Sequence, residues 1–289
     1  MIRRLCLIGV GLIGGSLSLA LKEKGLVGTI VGFDTDSRNL SQALKLGVID
    51  LAADSVGQAV AGADWVVIAT PVGALQRVLA ELQPHWRDDW TVTDTGSTKL
   101  DVVEAASRIF GEVPVNFVPG HPIAGAELSG AGAARADLFK RKRVILTPVE
   151  RTDRSDLLKV EQCWLGIGAL VSEMAPAHHD EVLAATSHLP HVLAFVLTEM
   201  LGRKDEQQEI FQYAAGGFRD FTRIASSDPR MWLDICLANR QQLLPLLEEY
   251  REALRIAGQL IQSEKAEELL AVFSDARNAR QRFLDQLEK

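Results

Sequence analysis

Gly9-Val10-Gly11-Leu12-Ile13-Gly14 is the stretch on which the reading of the fold turns. It follows a short apolar run, residues 5–8, and opens an apolar-periodic stretch, 13–24, that closes at Gly25. Strand, G-x-G-x-x-G turn and helix in that order make a cradle for a diphosphate. Gly9 allows the tight turn, Gly11 lets the ligand approach the backbone, and Gly14 lets helix and strand pack closely. Leu12 and Ile13 begin the helix, whose first N–H groups and positive dipole end face the anion. Asp34 closes the next β-rich run, 30–33, where a carboxylate accepts hydrogen bonds from ribose hydroxyls and repels a 2′-phosphate. The pattern predicts a dinucleotide site that favours NAD. Arg38, one helical turn on, softens that preference, so NADP stays open.

The same alternation continues outward. Short Val/Ile-rich runs at 65–69, 91–93, 115–118 and 144–146 suit strands buried on both faces. Helical periodicity fills 37–46, 73–82 and 99–110, with Gly47, Pro84 and Gly111 just beyond the helix ends. A connecting helix at 154–165 and an edge strand at 169–172 complete this half. From Pro176 onward no strand is expected. Apolar stripes at helical spacing take over (Leu243, Leu247, Tyr250, Leu254; then Leu269, Phe273, Ala276, Phe283), and Asp228-Pro229 reads as an N-cap and first-turn proline. The expected fold is an α/β, Rossmann-like doubly wound sheet over residues 1–174, followed by an all-α domain over 175–289. The second half is more apolar than one small bundle needs, which points to a homodimer through its helices.

Composition narrows the partners. Among 289 residues, 47% are hydrophobic and the net charge is −7, so a nucleic-acid surface is not expected and an anionic substrate needs individually placed cations. Cys6, Cys163 and Cys236 are few, distant and without metal-ligand spacing, which predicts buried reduced thiols and a cytoplasmic protein. Residues 1–21 superficially resemble a signal peptide, but the glycines within them and the missing A-x-A site argue otherwise. No run of 18 unbroken apolar residues occurs, so no membrane span is expected.

Chemistry concentrates at strand ends. Ala69-Thr70-Pro71-Val72 closes one strand, where Thr70 and Pro71 form a cofactor wall or simply end the strand. Asp94-Thr95-Gly96-Ser97-Thr98-Lys99 and Gly120-His121-Pro122-Ile123-Ala124-Gly125-Ala126-Glu127 fall on the same rim. Oxidation of a hydroxyl-bearing carbon needs a base for the hydroxyl proton, and His121, on a loop stiffened by glycine and proline, is the candidate. Ser97 and Thr98 read equally well as the N-cap of the next helix. No histidine pattern such as H-E-x-x-H is present, so no metal is implied.

Taken in order, these motifs resemble the prephenate/arogenate dehydrogenase family of tyrosine biosynthesis. His179-Asp180, Ser187-His188-Leu189-Pro190-His191 and Gly217-Phe218-Arg219-Asp220-Phe221-Thr222-Arg223 extend the resemblance through the second half, as does Asp228-Pro229 followed by Trp232. The resemblance implies hydride removal from C4 of a cyclohexadienyl ring, coupled to decarboxylation. It assigns His121 as the base, with Ser97 fixing its ring or touching the same hydroxyl. Arg223 becomes the carboxylate-binding residue, aimed by Asp220, and Arg219 a surface arginine. His188 and His191 share a helix face that Pro190 disturbs. Either contacts the side chain of the substrate, with His191 favoured. His179-Asp180 is read as a cap carrying an interdomain hydrogen bond, and Glu127 as a gate, a substrate contact or a plain loop carboxylate. Competing readings are a 3-hydroxyacid dehydrogenase, an imine reductase or a non-catalytic NAD-binding regulator. The first two place Lys or Asp on a catalytic helix, a pattern not found here.

Overall fold

A computed structural model describes residues 1–125, 128–205 and 209–287. Met1–Arg240 form one compact unit and Gln241–Lys289 a second.

The first unit is built on a parallel sheet of six strands, β1 (Ile2–Ile8), β2 (Val27–Phe33), β3 (Leu51–Ala52), β4 (Trp65–Ile68), β5 (Thr91–Asp94) and β6 (Phe117–Val118), in the order β3-β2-β1-β4-β5-β6. The order reverses at β1, so the crevice at the carboxyl ends of β1 and β4 is the expected ligand position. Alternation along β1 explains the burial. Leu5 and Leu7 enter one core with Leu17 and Leu21 of α1 (Leu12–Glu23), while Cys6 and Ile8 enter the other with Val66, Ile68 and Leu79. Both faces are covered, which is why these strands are apolar runs and not alternating ones.

Further helices are α2 (Ser37–Lys45), α3 (Val56–Ala59), α4 (Leu75–Leu82), α5 (Leu100–Phe110) and α6 (Arg154–Gly166). Asp36 caps α2 by accepting from Arg38 and Asn39 N–H, and Asp153 caps α6 in the same way. The strand β3 and the short α3 carry no sequence signal: β3 has two residues, both exposed.

One expectation changes. The runs near 144 and 170 do not extend the large sheet. They form β8 (Arg143–Leu146) and β9 (Leu170–Glu173), which with β7 (Gly120–Pro122) make a second sheet, β7 antiparallel to β8 and β8 parallel to β9. The break falls at Pro119, which has no N–H to continue the ladder of β6. His121 therefore sits in a strand, paired with Ile145, and not on a loop.

After β9 the chain is helical throughout the described residues: α7 (Pro176–Leu183), a π-helical turn (Ala184–His188), α8 (Leu189–Lys204), α9 (Glu209–Gln212), α10 (Gly216–Thr222), a 3-10 turn (Arg223–Ser226) and α11 (Pro229–Ala238). Asp228 caps α11 through Met231 N–H with Pro229 in its first turn, as its sequence predicts. The continuous run Pro176–Lys204 is long and apolar enough to cross a bilayer by length and composition, though polar residues interrupt it throughout. Its buried His179, Asp180 and His188 are hydrogen-bonded within this unit.

The second unit comprises most of α12 (Arg240–Gln262) and α13 (Ala266–Leu287). Leu254, Ile261, Leu270, Phe273 and Phe283 are exposed along it.

Candidate active site

The nucleotide turn is assembled by backbone geometry. Gly9 has φ +89°, and a Cβ there would lie 2.5 Å from the carbonyl oxygen of Ala69, so only glycine fits between β1 and β4. A Cβ on Gly14 would lie 2.3 Å from Gly9 O, whereas one on Gly11 would meet nothing within 4 Å. Gly11 thus faces open space, at the mouth of a cleft of about 510 Å³ that Gly9, Asp34, Ala69, Thr70 and Pro71 also line. Among the described residues Thr70 Oγ1 is buried there without a hydrogen-bond partner, and α1 starts at Gly11 with no side-chain cap. Unused donors, an uncapped helix N-terminus and a cleft at the reversal of strand order fit a dinucleotide.

Asp34 is held more firmly than its sequence suggests. Its Oδ2 accepts from Val10 N (3.0 Å) and Asn39 Nδ2 (3.0 Å), and its Oδ1 from Asp36 N (2.9 Å). A carboxylate takes about four donors, so capacity for a ribose hydroxyl remains. Asn39 also donates to Val10 O and accepts from Ala131 N. It ties the acidic residue to the glycine turn, a role no motif announced.

The second constellation surrounds His121. Its Nδ1 lies 2.9 Å from Nε2 of His179, and Nδ1 of His179 lies 2.8 Å from Oδ1 of Asp180. Asp180 accepts Lys99 N–H on Oδ1 and Leu100 N–H on Oδ2, each at 2.9 Å, capping α5 from a distant segment. Hence neither Ser97 nor Thr98 is the N-cap: that position is Lys99, which makes no side-chain cap bond. Nor does Ser97 fix the His121 ring. The hydrogen bond at its Nδ1 is made with His179, carried on α7.

Lys99 and Asp94 are fully buried and paired at 2.5 Å. Lys99 Nζ also donates to Gly120 O (2.8 Å), and Asp94 accepts Gly120 N–H (3.1 Å) and Gly96 N–H (2.8 Å). Both peptide groups of the residue preceding His121 are therefore clamped by one ion pair. Burial, then the neighbouring His179 and Lys99, holds the His121 imidazole well below the usual histidine range, so it is neutral at neutral pH.

The remaining histidines separate by environment. His188 is buried, its Nδ1 3.0 Å from Asn239 Nδ2, and burial lowers it to about 4. Asn239 also donates to the carbonyl of Asp180. His191 is half-buried and stacks on Trp232 with centroids 3.6 Å apart, its Nδ1 2.9 Å from Ser187 O. The indole Nε1 of Trp232 is buried without a hydrogen-bond partner among the described residues. Burial and then the charge of Arg223 lower the His191 pKa, which places Arg223 beside it electrostatically. Arg223 is exposed at the start of its 3-10 turn. Asp220 lies 3.9 Å from Arg219, its exposed neighbour on the same helix. Glu127 lies outside the described residues. Among the described residues no cluster of potential metal ligands occurs.

A nucleotide turn at a strand reversal and a buried neutral histidine on the adjoining sheet define a dinucleotide-dependent oxidoreductase. Residues 17–173 match the family described as "Prephenate dehydrogenase, nucleotide-binding domain", and residues 175–275 "Prephenate dehydrogenase, dimerization domain". The chain belongs to the prephenate dehydrogenase family. It is 39% identical to the prephenate dehydrogenase of Bacillus subtilis, over 95% of this chain and 74% of that one. To the cyclohexadienyl dehydrogenase of Zymomonas mobilis it is 38% identical, over 96% and 95%. The crystal structure of Aquifex aeolicus prephenate dehydrogenase, in complex with hydroxyphenyl propionate and NAD+, superposes with a TM-score of 0.91 at 36% identity, over 98% of each chain.

Proposed function

We propose that the chain catalyses the NAD-dependent oxidative decarboxylation of prephenate, and of arogenate where the side chain is accepted. The observation that carries this reading is the buried, neutral His121, its ring and its preceding peptide both fixed, on the sheet next to the nucleotide turn. Bound NAD supplies the hydride acceptor for C4 of the substrate ring. Gly9, Gly11 and Gly14, with the start of α1 at Leu12 and Ile13, would hold its diphosphate, Asp34 its ribose, and Thr70 and Pro71 one wall. His121 takes the C4 hydroxyl proton as the carbon is oxidised. The ring carboxylate then leaves as CO2, its bonding electrons enter the ring, and the phenolate oxygen recovers a proton. Aromatisation makes the sequence irreversible.

Ser97 keeps the role of contacting the substrate hydroxyl, since the His121 ring is held elsewhere. Arg223 binds a carboxylate with its planar fork. His191, half-buried and stacked on Trp232, contacts the substrate side chain; His188 is a buried structural residue. Residues 1–174 act as the nucleotide-binding part and 175–289 as the substrate and dimerisation part. The exposed apolar residues of α12 and α13 suit a homodimer. The three free cysteines, with the Cys163 thiol pushed by burial up to about 12, suit a reducing cytoplasm.

The test is NADH production at 340 nm with NAD and either prephenate or arogenate. His121→Asn is expected to lower kcat by roughly 10²–10⁴-fold with little change in KM. Folded, NAD-binding protein that turns over neither substrate refutes the reading.

A further inference from the structure

His179 and Asp180 do not line the cofactor cleft, yet they stand behind His121: His179 meets its ring and Asp180 meets His179. Asp180 can only accept. Two backbone N–H groups at the start of α5 reach its two oxygens, so both are committed as carboxylate acceptors. The nitrogen of His179 that faces Oδ1 at 2.8 Å must therefore carry the hydrogen. A neutral His179 then has a bare Nε2, and that lone pair faces Nδ1 of His121 at 2.9 Å. Two lone pairs cannot share that contact, so Nδ1 of His121 is the donor. Its second nitrogen is left bare. The reverse arrangement would put a bare Nδ1 of His179 against the carboxylate.

We propose that His179 and Asp180 are positioning residues that lock His121 in its Nδ1–H tautomer, so that Nε2 of His121 is the atom that takes the substrate proton. The role of that proton rests on the reaction proposed above; the tautomer does not. Without this chain, His121 would favour the Nε2–H form common for histidine in water, and would offer a donor where a base is needed. The neutral state of His179 that the argument needs agrees with its own depressed pKa, caused first by burial. Because the two backbone donors, Lys99 and Leu100, stand at the N-terminus of α5 and the acceptor on α7, the tautomer is set by the docking of the helical segment on the nucleotide-binding segment. Asn239, just past the end of α11, supports the same point by donating to the carbonyl of Asp180. The charged and titratable groups acting on His121 are His179, Lys99 and His188, and on His179 also Asp180 and Asp94.

The test is long-range 1H–15N correlation on protein labelled at histidine, with the His121 signals assigned by their loss in His121→Asn. The expected result is Nδ1–H on both His121 and His179 in the free protein. In His179→Leu the His121 signals should move to the Nε2–H or mixed pattern, and kcat should fall roughly 10- to 1000-fold with KM within about threefold. His179→Gln places a carbonyl oxygen near the lost nitrogen. It should restore the Nδ1–H pattern and most of kcat, which a merely structural loss would not allow. If the leucine variant does not fold, wild type and His179→Gln carry the comparison. Nε2–H on His121 in the wild type, an unchanged kcat in His179→Leu, or a glutamine variant that loses the Nδ1–H pattern overturns the proposal. Absence of turnover with an Nδ1–H His121 would instead overturn the assigned reaction.

Discussion

Replacing Lys99 with Met tests whether the buried ion pair behind His121 organises the site. Methionine keeps the length of the side chain and removes its charge. In the native fold Asp94 has the ammonium at 2.5 Å and two backbone N–H groups, and Gly120 O receives its own bond from the ammonium. The variant leaves a fully buried carboxylate without a counter-charge and the Gly120 carbonyl without that donor. Removing one partner of such a pair costs about 3–5 kcal/mol, and a buried orphaned carbonyl about 1–3 kcal/mol. The two overlap, so a loss of about 4 kcal/mol is expected, a large part of the stability of a typical protein. Urea unfolding followed by tryptophan fluorescence measures it. The double variant Lys99→Met/Asp94→Asn removes both charges and should be more stable than Lys99→Met alone, by about 2 kcal/mol or more. A Lys99→Met loss below about 1 kcal/mol, or additive single losses, would refute the reasoning.

Gly14→Ala must push α1 off the sheet, since its Cβ would sit 2.3 Å from Gly9 O and 2.9 Å from Ala69 Cβ. It is expected to cost about 1–3 kcal/mol and to weaken NAD binding, read by thermal unfolding and calorimetric titration. Arg223→Gln should raise KM roughly 30-fold, about 2 kcal/mol, with kcat little changed; an unchanged KM moves the carboxylate site elsewhere. His188 bears on stability in acid. Its folded pKa of about 4 lies below the ordinary 6.5, so between the two the unfolded chain binds more protons. Stability is full above 6.5 and falls as pH drops toward 4, by about 3 kcal/mol from this residue. His188→Gln, whose amide can still accept from Asn239, should flatten that stretch of the unfolding free energy against pH.

The first βαβ unit was legible because its signals are local. Gly9, Gly11, Gly14 and Asp34 lie within one βαβ unit; close backbone contacts require Gly9 and Gly14, Gly11 opens onto the cleft, and Asp34 accepts from the turn's own Val10 N–H. The apolar runs at β1, β2, β4 and β5 were equally plain, since strands buried on both faces leave no alternation to misread. The second sheet was not legible: β7 and β8 pair antiparallel across a long connection, and nothing in 144–146 says which sheet it joins. The back of the base was hidden for the same reason. His121 meets His179 across 58 positions, and Asp180 caps α5 across 81 and 80. A helix whose cap comes from another segment shows no cap in its own sequence, so Ser97 and Thr98 looked available for the task. Lys99 stood in a quoted motif, but its value lies in reaching Gly120, which spacing does not reveal.

The π-helical turn at Ala184–His188 has a consequence for how this helix tolerates change. Each helical residue advances the wheel by about 100°, and a π turn holds one residue more than an α turn, so α8 is rotated out of phase with α7. That phase offset turns His179 and Asp180 toward α5 while His191 meets Trp232. The chain therefore has a counting constraint. Substitutions in 184–187 leave the two faces in step, but deleting any one of these residues would convert the turn to α and swing one face about 100° from its partner.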